Sequence, residues 1–455
     1  MKELPSYDTI WKIIEENAWF DHPSTPSIIK QKEWPIYVEG NGIYIKDIEG
    51  KEYIDGTSSA MCNTLGFGNR RVIEAIKEQL DRLHLCMIGH SYVSLLACKR
   101  IAQLAPPGLN RVYLTVTGSD AVEASVTYAR HYFRTQGKPN HVIISQWLAF
   151  HGVGLEAAGA TGIARNKANL FRDASGVDAG YYYVPPPYCY RCHYGLEYPQ
   201  CGIKCAKAID DAIGYLGQQN VAGFIGELAF GVCGGITAPP EYWTIVREIC
   251  NKHKILLIAD EIITGWGRLG KLWACELFNI IPDIMVTAKG VNGAYLPLSA
   301  MIMHDDICKP FLAEDAQIPD LIHTHSFSPT ACAAVLAATD VIIEERIWEN
   351  AAEMGTHLKK RLDDMAQKSK IVGFIHGVGL QQGVEIVEDK KSKEPSANLT
   401  NAILKKCLEK GLLIRTAGLS NVICVYPPLI ITREQTDKLA DILSESVAEV
   451  EATRK

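Results

Sequence analysis

The sequence has no long apolar run, and nothing in it approaches the roughly 18 consecutive apolar residues that a membrane-spanning helix needs. Its start, Met1 to Lys12, also lacks the charged segment, apolar stretch and small-residue cleavage site of a secretory signal. The expectation is a cytosolic protein that neither enters a membrane nor is exported. Excess positive charge is absent too: the net charge is −6, with acids and bases interspersed, so there is no basic footprint for nucleic acid. No internal repeat or low-complexity linker interrupts the chain. At 47% hydrophobic and 22% charged residues the composition is that of an ordinary globular protein, which excludes a disordered or fibrous chain. A length of 455 residues implies two or three folding units around a large core.

Cysteine, by contrast, is plentiful. In a reducing compartment the 14 cysteines read as thiols or metal ligands rather than a disulfide framework, and many stand singly in apolar stretches as small hydrophobes.

Residues 36 to 55 alternate short apolar stretches with the turns Gly40-Asn41-Gly42 and Glu49-Gly50, which predicts a small antiparallel sheet. From about residue 69 apolar positions recur at helical spacing (Val72, Ile76, Leu80, Leu83). After Gly108, strands and helices alternate to about residue 305, with strands expected at Arg111 to Val116, His141 to Ser145, Gly223 to Glu227 and Ile255 to Ala259. Such alternation implies an α/β architecture, a mostly parallel sheet flanked by helices, whose strand ends are where ligands bind. Two long helices, Ala331 to Ile343 and Trp348 to Met365, then lead into short strands and a last helix, the pattern of a smaller α+β domain. The expected division is an N-terminal segment 1–60 belonging to the small domain, a large domain 61–310 and a C-terminal small domain 311–455.

Two strand ends carry the chemistry. Ile255 to Ala259 is apolar on both faces and runs straight into Asp260 and Glu261. A carboxylate there is desolvated unless a cation faces it, and a protonated pyridine nitrogen is one such cation. Capping of a turn, or pairing with Arg268, is the structural alternative. The next strand, Ile284 to Ala288, ends in Lys289-Gly290. Desolvation lowers the pKa of such an amine and favours a neutral nucleophile able to form a Schiff base. A lone lysine is usually a solvated surface residue; the combination with Asp260 is what carries weight.

Asp260-Glu261-Ile262-Ile263-Thr264-Gly265-Trp266-Gly267-Arg268-Leu269-Gly270, followed by Pro282-Asp283 and Ala288-Lys289-Gly290, resembles the signature of the class III (subgroup II) pyridoxal-phosphate-dependent aminotransferases. The resemblance extends from Tyr53-Ile54-Asp55-Gly56 to Pro427-Pro428-Leu429. It implies a fold type I enzyme with a seven-stranded sheet in the large domain, pyridoxal 5'-phosphate as cofactor, and a homodimer with shared active sites. It further implies Lys289 as the Schiff-base lysine and proton carrier, Asp260 as partner of the pyridine nitrogen, and Ile262 on one face of the ring. Thr117-Gly118-Ser119-Asp120-Ala121 joins a strand to a helix, where backbone N–H groups and the Ser119 hydroxyl suit an anion. The family holds the phosphate there, although such a turn alone is a helix cap. Asp120 stands where glutamate is usual. Phe150-His151-Gly152 matches the segment whose aromatic ring, usually tyrosine, stacks on the other ring face; His151 is read as structural. Ser326, in His323 to Thr330, takes the place of a threonine given to the phosphate by the neighbouring subunit, with Thr324 and Thr330 as alternatives.

Arg415, in Gly411 to Thr416, matches the family's substrate-carboxylate arginine, a role its planar fork suits; a surface ion pair is the alternative. Family members acting on ornithine or 4-aminobutyrate neutralise this arginine with a glutamate, and Val232 occupies that place here. Together with Ile263, this points to the ω-amino acid:pyruvate branch, with taurine and β-alanine as candidate donors. Met61 stands where that branch often has a tryptophan, which implies a reshaped pocket, and Glu227 is read as a supporting residue. A racemase or aminomutase of the same fold would keep Lys289 and Asp260, and diaminopelargonate synthesis is a further alternative. A non-catalytic protein that kept the fold would bind no cofactor. Finally, Cys189, Cys192, Cys201 and Cys205 fall close together; a structural zinc site is one reading, free thiols or loop disulfides the others.

Overall fold

The computed structural model describes residues 6–20, 25–31, 34–163 and 180–454. Near the N-terminus the strands β1 (Tyr37–Asn41), β2 (Tyr44–Asp47) and β3 (Glu52–Asp55) form the expected antiparallel ribbon. The chain then enters the large sheet with β4 (Leu109–Thr115), β5 (Val142–Gln146), β6 (Tyr181–Val184) and β7 (Val221–Glu227). A two-stranded ladder, β8 (Ala229–Phe230) with β9 (Ile236–Thr237), precedes the remaining large-sheet strands β10 (Leu256–Asp260), β11 (Ile284–Thr287) and β12 (Ser299–His304).

The seven strands lie in the order β4-β12-β11-β10-β7-β5-β6. Strand β12 is antiparallel to both β11 and β4, and every other pair is parallel. Two reversals cancel, so β4 points the same way as β11, β10, β7 and β5, and the C-terminal ends of all five meet along one edge. Every residue of β5, β7, β10 and β11 is buried, which explains why these strands read as continuous apolar runs rather than alternating ones.

The C-terminal part builds a second sheet from β13 (Val372–Val378), β14 (Gln381–Ile386), β16 (Arg415–Thr416) and β17 (Val422–Val425), in the order β13-β14-β17-β16. The short strand β15 (Leu412–Leu413) instead adds in parallel to β3, so residues near 412 lie beside residues near 54. Arg268 is wholly buried at this junction, where its Nη1 donates to the Leu380 carbonyl at 3.1 Å and the Pro427 carbonyl at 2.6 Å. Burial pushes its guanidinium down to about 10. It does not pair with Asp260, so that alternative for the acid falls. Among the described residues, no helix is long and apolar enough to cross a membrane.

Candidate active site

The common strand edge collects the charged residues that the apolar runs end on. In the β7–β10 register Glu227 is opposite Asp260, and Asp260 is opposite Val286 of β11. Ala288 and Lys289 follow β11 directly. A cavity of about 160 Å³ opens here, bounded by Lys289, Asp260, Phe150, Ile262, Ser119 and Glu227 among others.

Asp260 is buried and holds two hydrogen bonds. Its Oδ2 lies 2.7 Å from His151 Nδ1, and its Oδ1 accepts the Ile262 N–H at 3.0 Å. The turn-capping role is therefore real, yet it uses only one oxygen. His151 is also buried, and its Nε2 has no hydrogen-bond partner among the described residues. The sequence reading left His151 structural; the structure makes it the partner of the acid. Lys289 is half-buried with φ of 42°, in the left-handed region that a lysine enters at a cost. No hydrogen bond or ion pair holds its amine among the described residues.

Glu227 lies beneath the aromatic wall. Its carboxylate accepts the Phe150 N–H and the Gly231 N–H, each at 2.8 Å, and so positions the segment carrying the Phe150 ring. Burial pushes its carboxyl up to about 7, with the Asp260 charge acting in the same direction.

The turn before the helix Gly118–Arg134 is built as an anion cradle. Thr117 is the N-cap: its hydroxyl accepts the Asp120 N–H, and the Asp120 carboxylate accepts the Thr117 N–H at 2.8 Å. Asp120 thus closes a capping box, a task open to either acid. That leaves the N–H groups of Gly118 and Ser119 at the positive end of the helix dipole, facing the cavity. Gly152, at φ 135°, admits no side chain: a Cβ there would sit 2.4 Å from Ser119 Oγ. The glycine keeps that hydroxyl in place, where it accepts the Val153 N–H at 3.1 Å.

Two predicted residues are not in this cavity wall. Ser326 is buried in its own turn, accepting the His323 N–H at 3.2 Å. Arg415 is half-buried on β16 and, among the described residues, donates only to the Thr416 carbonyl, at 3.1 Å. The four cysteines do surround one small cavity of about 20 Å³. All four are free thiols, however, and no group of three His, Cys, Asp or Glu able to hold a metal exists among the described residues. The zinc reading therefore has no support; the spacing brings the thiols near one another without converging them.

One cavity lined by an acid, an amine, the Phe150 and Ile262 side chains and an anion cradle offers the residue types that pyridoxal phosphate needs. Asp260, Lys289 and the Gly118–Ser119 turn are of the kinds that would suit its ring nitrogen, aldehyde and phosphate. The arrangement is that of a fold type I enzyme dependent on this cofactor. A profile of the family described as Aminotransferase class-III matches residues 29–447. The adenosylmethionine-8-amino-7-oxononanoate aminotransferase of Geobacter sulfurreducens is 35% identical, over 98% of this chain and 99% of that protein. The putrescine–pyruvate aminotransferase of Pseudomonas aeruginosa is 31% identical over 90% of each chain. A crystal structure of an (S)-enantioselective omega-transaminase from Thermomicrobium roseum superposes with a TM-score of 0.92, at 28% identity, covering 99% of this chain and 100% of that one. The chain belongs to the class III aminotransferases and is a pyridoxal-phosphate-dependent enzyme, so its substrates are an amine donor and a keto-acid acceptor.

Proposed function

We propose that this enzyme moves an amino group from an ω-amino acid or small amine to pyruvate in two alternating half-reactions. The observation carrying the proposal is that Lys289, Asp260, Phe150, Ile262 and Ser119 bound one cavity at the strand edge. Pyridoxal phosphate, when bound, supplies the electron sink that accepts the electron pair left on the substrate carbon after proton loss. Lys289 Nζ would hold the cofactor in the resting enzyme and carry the proton to and from the substrate. Asp260 would keep the ring nitrogen protonated, with His151 orienting Asp260. Phe150 and Ile262 would exclude water from the ring, while Gly118 and Ser119 would hold the phosphate.

Among the described residues Arg415 has no acidic partner, and Val232 offers none, which supports a role in binding a substrate carboxylate without a neutralising gate. Taurine and β-alanine are candidate donors. We further propose a homodimer in which each subunit's Ser326 serves the other's phosphate site. Exposed apolar side chains at Ile88, Tyr92 and Leu95 support a covered face, and the loop of Ser326 borders it through the His90–Phe327 ring contact at 5.3 Å. The division into 1–60, 61–310 and 311–455 belongs to the same proposal, supported by the pairing of β3 with β15. Similarity to the Geobacter relative supports a second reading, transfer to 8-amino-7-oxononanoate.

The test is an absorbance titration of the reconstituted enzyme. Taurine, β-alanine or another ω-amine should convert the cofactor band, and pyruvate should restore it. Conversion only with adenosylmethionine, reversed by 8-amino-7-oxononanoate, favours the second reading. Conversion that no keto acid reverses, with amine returned to the same skeleton, marks a racemase or aminomutase.

A further inference from the structure

Between β3 and the helix Arg70–Arg82, Ser58, Ser59, Ala60 and Met61 have φ of 49°, 47°, 65° and 71°. Four successive residues, none of them glycine, thus lie in the left-handed region, which L-residues ordinarily enter singly. Such a turn persists only where its surroundings hold it. Asp55 supplies the hold. Its Oδ1 accepts the Thr57 N–H at 3.1 Å and hydroxyl at 3.2 Å; its Oδ2 accepts the Ser59 N–H at 2.7 Å and hydroxyl at 3.1 Å. The carboxylate is fully buried and pairs with no cation among the described residues. From the other side Ser58 Oγ donates to the Tyr426 carbonyl at 2.6 Å and accepts from Arg268 Nη2 at 3.1 Å.

The turn ends on Met61, which is buried against Ile263, Cys424 and Tyr426. Ile263 lines the Lys289 cavity, and Cys424 is the register partner of Arg415. Met61 thus packs in one apolar cluster with Ile263 of the cavity wall and with Cys424 on the strand paired to the one bearing the arginine. A backbone relaxation at 58–61 would shift Met61 against both.

We propose that Asp55 is a positioning residue that determines donor specificity: by holding the left-handed turn it sets where Met61 stands between Lys289 and Arg415, and so which amine-to-carboxylate span fits. The proposal rests on the reading of Arg415 and the ω-amino acid donors given above. The substrate class it names is linear amino acids selected by chain length.

The experiment measures kcat/KM with pyruvate for unbranched ω-amino acids from β-alanine to 6-aminohexanoate, alongside thermal stability and cofactor absorbance. Asp55→Asn places an amide N–H₂ against N–H and O–H donors. It should bind cofactor yet reduce the discrimination between best and neighbouring donor by about tenfold, the loss expected for hydrogen bonds to a charged group. Ala60→Gly removes strain, so it should raise the melting temperature and keep the wild-type profile. Glycine holds positive φ unaided, so Asp55→Asn with Ala60→Gly should recover part of the discrimination. A defect of folding alone would instead lower turnover of all donors alike, together with thermal stability and cofactor absorbance, and leave their ratio unchanged. If Asp55→Asn does not fold, Ser59→Ala, which deletes one of the four bonds, should blunt the profile by about threefold. An unchanged profile in a folded Asp55→Asn or Ser59→Ala protein overturns the proposal, as does a double variant as unselective as Asp55→Asn. No turnover of any donor by the wild type overturns the functional reading itself, and this proposal with it.

Discussion

His151 Nδ1 lies 2.7 Å from Asp260 Oδ2, with both side chains buried at the end of β10. A carboxylate in that place has no solvent to stabilise its charge, and only one backbone N–H otherwise reaches it. The imidazole therefore both supports the charge and fixes the direction in which the free lone pairs point. His151→Ala should lower the rate of the amine half-reaction at saturating cofactor by about 10–100-fold, the worth of a hydrogen bond to a charged group. Asp260→Asn should cost more, because it removes the charge as well as its orientation. Single-turnover absorbance kinetics on both variants checks the order.

Lys289→Ala should abolish turnover while leaving the fold intact. Among the described residues the side chain makes no ion pair or hydrogen bond that the fold depends on, and alanine meets the same backbone constraint at φ 42°. Circular dichroism and the melting temperature of the apoprotein should stay close to those of the wild type. Retained turnover near the wild-type rate would remove the lysine from its assigned role.

Much of this site was legible because a charge that ends a doubly buried strand is anomalous on its face. Asp260 and Lys289 stand out against the runs Ile255 to Ala259 and Ile284 to Ala288, and the strands fell within two residues of their expected bounds. The partnership of His151 was not legible, since its acid lies 109 residues further on and no periodicity marks a histidine in a loop. The aromatic-His-Gly pattern was the only signal. Nor does Ser58-Ser59-Ala60-Met61 announce a left-handed turn, because the usual sign, glycine, is missing; the cause is Asp55 together with contacts from Arg268 and Tyr426 far along the chain. The cysteine spacing left zinc, free thiols and loop disulfides open, and the described residues show free thiols, because nearness in sequence does not by itself converge sulfurs on one point.

Arg415→Gln should separate two classes of donor. Among the described residues the guanidinium is tied only to a neighbouring carbonyl, which leaves its remaining donors for a carboxylate. For ω-amino acids KM should rise by about 10–100-fold with kcat little changed, since a charge-assisted pair is lost in ground and transition state alike. For a diamine without a carboxylate, kcat/KM should change by less than about twofold. Equal losses for both classes would place Arg415 outside the substrate site.

Glu227 makes stability depend on pH in a direction that can be stated beforehand. Burial raises its carboxyl from the ordinary 4.5 to about 7 in the folded protein. The folded state therefore keeps a proton that the unfolded chain releases, and this favours folding below about pH 4.5. As pH climbs from there through 7 the contribution is lost, amounting to roughly 3 kcal/mol at about 1.4 kcal/mol per pH unit. Glu227→Gln should flatten the fall of melting temperature between pH 5 and 8. Glu261, also raised by burial to about 7, keeps the slope from vanishing, so about half should remain. Melts of the two proteins across that range, with and without cofactor, decide the matter: an unchanged slope in the variant means Glu227 is already ionised in the folded state, stabilised by the Phe150 and Gly231 N–H groups.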